Sequence, residues 1–210
     1  MEYKDRLSLD NKNEKSMCAV LDKYLYSKDI FSATGRAETY QEQAIDGIDV
    51  YFTASGHSFQ CDEKTALWYA NKNLQTFALE LTSYSPNKHC RFDGWYINPN
   101  KKADSYLFVY LNKCDGTIET FSSGDVREIE VILVSKDRID NYLTGLGYTK
   151  ERLKEISDSI VYNNTPYWNY NDGDIRFHYS YQYEEKTVNV LVKRDVLRKL
   201  SNYNEVIRTK

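Results

Sequence analysis

GIDVYFTASGHSFQCDEK, from Gly47 to Lys64, reads as two alternating runs joined by a tight turn at Ser55-Gly56. With those two residues as the loop, Ala54 faces His57, Phe52 faces Phe59 and Val50 faces Cys61, which makes one apolar face. Side chains alternate along a strand, so the other face sets Thr53 against Ser58, Tyr51 against Gln60 and Asp49 against Asp62. Lys64 shares that second face. The turn and the apolar face alone determine this register, and a slip of one residue would turn every side chain over.

Two carboxylates opposed in this way have Cβ atoms about 5 Å apart and destabilise a ladder, so the pair invites a cation. Hard oxygen ligands with no sulfur or imidazole cluster suit Mg²⁺ or Mn²⁺ better than zinc. Such an ion would stabilise charge on a phosphate oxygen and lower the pKa of bound water, which Lys64 could orient or help deprotonate. The plain alternative is a surface salt bridge on an ordinary hairpin. Downstream, Asn71-Lys72-Asn73 reads as a loop leading into QTFALEL, residues 75–81, which places Glu80 opposite Lys64 in a supporting role.

The chain around this hairpin is that of a folded protein. Of 210 residues 41% are hydrophobic, and 19 tyrosines against three prolines favour sheet over linker. A net charge of −3 excludes a global positive field, so any surface for nucleic acid must be local. Cys18, Cys61, Cys90 and Cys114 form no C-x-x-C pair and fit no zinc module with His57 or His89, so reduced thiols are expected. Residues 1–16 are polar and mixed in charge, unlike a signal peptide, and no apolar run approaches the ~20 residues of a membrane span. A cytoplasmic protein without membrane attachment is the expectation.

Residues 1–13 read as a flexible arm. Met17, Val20, Leu21 and Leu25 place a helix over 14–27, YLFVYL (106–111) a buried strand and EIEVILV (128–134) another. A helix is expected from Lys136 to about Leu143, and a second behind a Thr149 cap, with Leu153, Ile156 and Ile160 on one face. Residues 187–192 read as a strand and 194–201 as a terminal helix. Strands alternating with helices define an α/β class, a mixed central sheet flanked by helices. The domain expectation is a core over 14–135, with a helical, tyrosine-rich extension over 136–210 packed on the same domain.

At Asp49 and Asp62-Glu63-Lys64 the chain resembles the PD-(D/E)XK nuclease superfamily, restriction-endonuclease-like proteins with an acid on one strand and (D/E)-x-K on its neighbour. The likeness spans roughly residues 36–112, and Ile48 stands where the family name has proline. It implies a restriction-endonuclease-like core in which Asp49, Asp62 and the Glu63 backbone carbonyl bind the metal and Lys64 serves the attacking water. Gln43 would stand near the site. Many members also use a glutamate from the first helix, for which Glu14, Asp22, Glu38 and Glu42 are candidates. The implied function is Mg²⁺- or Mn²⁺-dependent phosphodiester hydrolysis with DNA as partner, RNA being left open. A catalytically inactive nuclease fold used for nucleic-acid binding or protein assembly is the alternative.

Lys88, Arg91, Trp95, Lys101 and Lys102 are candidate nucleic-acid contacts, weighed against a solvated loop around a core tryptophan. The aromatic stretch Tyr162–Tyr183, with Tyr167, Trp168 and Tyr170, could stack on single strands or pair two copies as a homodimer. Alternation of Phe177, Tyr179, Tyr181 and Tyr183 instead favours core packing.

Overall fold

YLFVYL owes its unbroken apolar character to its place inside a sheet. Strand β6 (Ser105–Cys114) is buried from Ser105 to Leu111 and pairs on one side with β3 (His57–Thr65), on the other with β7 (Val126–Ser135). A computed structural model describes residues 3–165, 167–168 and 173–209 of the chain. It is mixed α/β, with two compact units, residues 1–74, 102–135 and 201–210 in the first and 75–101 and 136–200 in the second.

In the first unit six strands run in the order β1-β2-β3-β6-β7-β11, where β1 is Phe31–Arg36, β2 Val50–Ala54 and β11 Tyr203–Arg208. Every neighbouring pair is antiparallel except β3 with β6, so the sheet is mixed. Helix α1 (Tyr3–Leu21) continues into a π turn over Asp22–Tyr26, and its Met17, Val20, Leu21 and Leu25 join Val50, Phe52, Cys61 and Leu107 in one core. The helix therefore covers the apolar face of the β2–β3 hairpin.

The arm expected over 1–13 is corrected by this helix, which begins at Tyr3. No glycine or proline interrupts residues 3–21. Polar contacts tie the first turns down: Asp10 accepts from Trp68 Nε1 at 3.0 Å, and the fully buried Asn13 donates to Ile118 O at 2.9 Å. A search for apolar periodicity does not register such contacts.

The second unit is an antiparallel sheet, β5-β4-β10-β9-β8, formed by Cys90–Asp93, Thr76–Ser85, Val188–Lys193, Ile175–Tyr179 and Tyr167–Trp168. With it go helices α2 (Lys136–Gly145), α3 (Lys150–Tyr162) and α4 (Arg194–Leu200). Thr149 caps α3 by accepting from Arg152 N, and Leu153, Ile156 and Ile160 are buried below it. This unit takes residues 75–101 from the expected 14–135 core and returns 201–210 to the first sheet. Phe177 and Tyr179 are core residues, whereas Tyr181 and Tyr183 lie beyond the strand and are exposed; Tyr170 falls outside the described residues. Among the described residues no helix is long and apolar enough to cross a membrane.

Gly94 in this unit has no room for a side chain. A Cβ there would stand 2.5 Å from the backbone oxygen of Glu80 and 2.6 Å from its carbonyl carbon. Gly94→Ala must push two backbones apart and should cost about 2–3 kcal/mol, read as a lower urea midpoint at unchanged slope.

Candidate active site

Ser55 and Gly56 both take positive φ, 51° and 79°, as the tight hairpin turn requires. The ladder then runs Ala54–His57, Thr53–Ser58, Tyr51–Gln60, Phe52–Phe59 and Val50–Cys61, the register expected from the sequence. It ends there. Asp49 N–H reaches Cys61 O, at 2.9 Å, the carbonyl of the residue that Val50 faces. The Asp49 side chain continues the pairing in place of the backbone, its Oδ2 accepting from Glu63 N–H at 2.7 Å.

Asp62 lies beside it and is 4% exposed. Beyond β3 the parallel register sets Asp62 against Tyr106 and Lys64 against Phe108, both buried aromatics that withdraw water from this face. Lys64 Nζ stands 2.6 Å from Asp62 Oδ1. Burial pushes the Asp62 carboxyl up to about 7; Lys64 opposes this, while the Asp49 charge and a side-chain hydrogen bond between the two acids add to it. Two carboxylates thus face one another and a single ammonium partly compensates them.

Glu14 on α1 is the helix acid whose carboxyl senses the charges of this group. Desolvation raises its carboxyl, Lys64 lowers it and Asp49 raises it again, all weakened because the residue is solvent-exposed. Asp22 is taken by Arg36, at 2.7 Å, and Glu42 by Thr39 and Tyr51. Glu14, Cys18 and Asp22 recur every four residues and form one stripe of the helix, a spacing that could have singled out Glu14 in the sequence.

The Glu63 side chain points to the opposite face. It is 6% exposed, accepts from Arg36 Nη1 at 2.6 Å and Tyr26 Oη at 2.7 Å, and has Cys18 Sγ at 3.7 Å. One residue is therefore pinned twice, by its N–H to Asp49 and by its carboxylate to Arg36. Sequence reasoning had assigned Glu63 only a backbone carbonyl. Burial, with Glu63 alongside, pushes the Cys18 thiol up to about 12, so it is no ready nucleophile.

Other candidates are placed differently. Gln43 donates to Ala37 O at 2.7 Å, and Ala37 N–H bonds Asp49 O at 3.0 Å, so it braces the acid's backbone from one residue away. Glu80 is corrected: β3 has β2 and β6 as neighbours, and Glu80 pairs with Asn189 on β10. The chain leaves β3 through a 3-10 turn, Leu67–Tyr69, and Asn71 N–H is drawn to Leu111 O instead of starting a hairpin. Lys102 belongs to the first unit and is bonded to Asp46 at 3.1 Å, whereas Lys88, Arg91, Trp95 and Lys101 lie in the second. Arg91 braces Lys186 O at 2.7 Å, Trp95 packs edge-on to Tyr96, and Lys88 is exposed.

No three His, Cys, Asp or Glu side chains among the described residues gather closely enough to enclose an ion. The donor set still fits Mg²⁺, which keeps most of its water and needs one or two carboxylates from the protein. Asp49, Asp62 and the Glu63 carbonyl supply oxygen only, and a cation between the acids would relieve their repulsion. Comparison with known protein families, curated proteins and solved structures found no match.

Proposed function

We propose that the chain is a divalent-metal-dependent nuclease with a restriction-endonuclease-like core, hydrolysing phosphodiester bonds with DNA as substrate. The observation that carries this reading is the buried Asp62 carboxyl, with Lys64 Nζ beside it on the same strand and the Asp49 carboxylate at the entry to β2. Asp49, Asp62 and the Glu63 carbonyl would hold the ion. When bound, it supplies positive charge for a phosphate oxygen and acidifies water. Lys64, fixed by Asp62, is placed to orient the attacking water and to meet developing negative charge. Tyr106 and Phe108 exclude solvent from that flank, and Glu14 on α1 contributes negative charge that Lys64 and Asp49 sense.

A second reading, an inactive nuclease fold that binds or assembles, draws on the same Lys64–Asp62 bond, which satisfies the acid without any ion. Cleavage of circular and linear DNA with Mg²⁺, Mn²⁺ or EDTA separates the two. Metal-dependent cutting should fall at least about 100-fold in Lys64→Ala and about tenfold in Glu14→Gln. Full activity in Lys64→Ala would remove the assignment. Metal binding without cutting of any DNA or RNA form by the wild type would favour the second reading.

A further inference from the structure

Lys12, Lys15 and Lys23 project from the solvent side of α1 and its π turn, opposite the Met17–Val20–Leu21 face that enters the core. Two hollows open along this side. One of about 480 Å³ is lined in part by Lys23, Ser123 and Arg127, the other of about 600 Å³ by Ser8, Lys12, Lys15 and Ser16. Ala19 and Ser123 line both, which makes them one trough. Among the described residues no carboxylate lines it, in a chain with 31 acids against 28 lysines and arginines. The three lysines make no ion pair with a described residue, and Arg127 is held in place by Asp115 at 2.5 Å.

We propose that this trough docks the phosphate backbone of a nucleic acid, an inference that rests on the nuclease reading. From Ser8 to Lys23 the helical rise gives a length of about 22 Å, the run of about six base steps at 3.4 Å each. Cations interleaved with serine hydroxyls supply the donors that phosphate oxygens accept. A lipid surface is the weaker match, because among the described residues none of the exposed large hydrophobic ones lines this trough to insert into a bilayer.

The test is fluorescence anisotropy of a labelled DNA duplex and its single strand against salt, with Ca²⁺ in place of Mg²⁺. The full-length wild type is compared with Lys12→Gln/Lys15→Gln/Lys23→Gln. Affinity should drop about tenfold or more at low salt, and the duplex log–log salt slope should flatten by about 2.7, three contacts at 0.9 each. An unchanged melting temperature shows that the variant is folded. An unchanged slope overturns the proposal, as does loss of binding to phosphatidylserine vesicles with DNA binding intact. Cutting at saturating DNA reports on the nuclease reading separately: the variant retains every active-site acid and should keep kcat while KM rises. A flattened slope in a protein that never cuts would retain the docking surface and reject the nuclease.

Discussion

Asp62→Asn is expected to yield a metal-free protein that is more stable than the parent at pH 8 and unable to cut nucleic acid. In the parent the Asp62 carboxyl is held up near 7 from an ordinary 3.8, chiefly by burial. The folded state therefore binds this proton more tightly than the unfolded chain. Stability from this group is fully present below pH 4 and is lost as pH climbs toward 7. A move from 3.8 to about 7 corresponds to about 4 kcal/mol at 1.36 kcal/mol per pH unit. The amide removes that burden but gives up the charge on the Lys64 bond, which leaves a net gain of about 2 kcal/mol at pH 8 and almost none at pH 4. Urea unfolding in EDTA at the two pH values measures it. Saturating Mg²⁺ should narrow or reverse the difference, since the ion stabilises only the parent. A variant less stable than the parent at pH 8 without metal would show that Asp62 is satisfied as an ordinary salt bridge, and the case for a metal site would lose its main support.

The parts of this site that could be read from the sequence are those determined by local geometry. Ser55-Gly56 and the apolar pair Val50 and Cys61 set a register that brings Asp49, Asp62 and Lys64 together. Glu80 was misplaced because β3 pairs with β6 across some forty residues, and parallel pairing of that range leaves no turn to read. The first half of α1 was missed because Asp10 and Asn13, both polar, tie it down. Division into two units escaped notice because residues 75–101 and 136–200 carry no break in composition at their borders. The role of Arg36 depends on where β1 meets the π turn after α1, a tertiary fact that no spacing encodes.

That arginine gives the other large effect. Arg36→Met should cost about 3 kcal/mol at pH 8, because it leaves the Glu63 carboxylate buried with Tyr26 Oη and Cys18 Sγ as its remaining side-chain partners. The lost guanidinium had been lowering a Glu63 carboxyl that burial raises, so the variant's carboxyl moves further up. A raised acid makes stability fall as pH rises, so the penalty should be largest at pH 8 and shrink toward pH 5 as Glu63 takes up a proton. Arg36→Met/Glu63→Leu should recover most of the loss, since an apolar pair of similar volume replaces a buried ion pair at little cost. Function should not recover with it. Glu63 N–H holds Asp49 Oδ2, and once the side chain is no longer anchored on the far face, that peptide is free to shift, weakening metal affinity by about tenfold even in the stable double variant. Urea titrations at both pH values and a Mn²⁺ titration separate the two roles. Equal loss in single and double variants would mean that Arg36 matters through its Nη2, which bonds Asp22 at 2.7 Å and donates to Cys18 O at 3.3 Å, and that the anchoring of Glu63 is incidental.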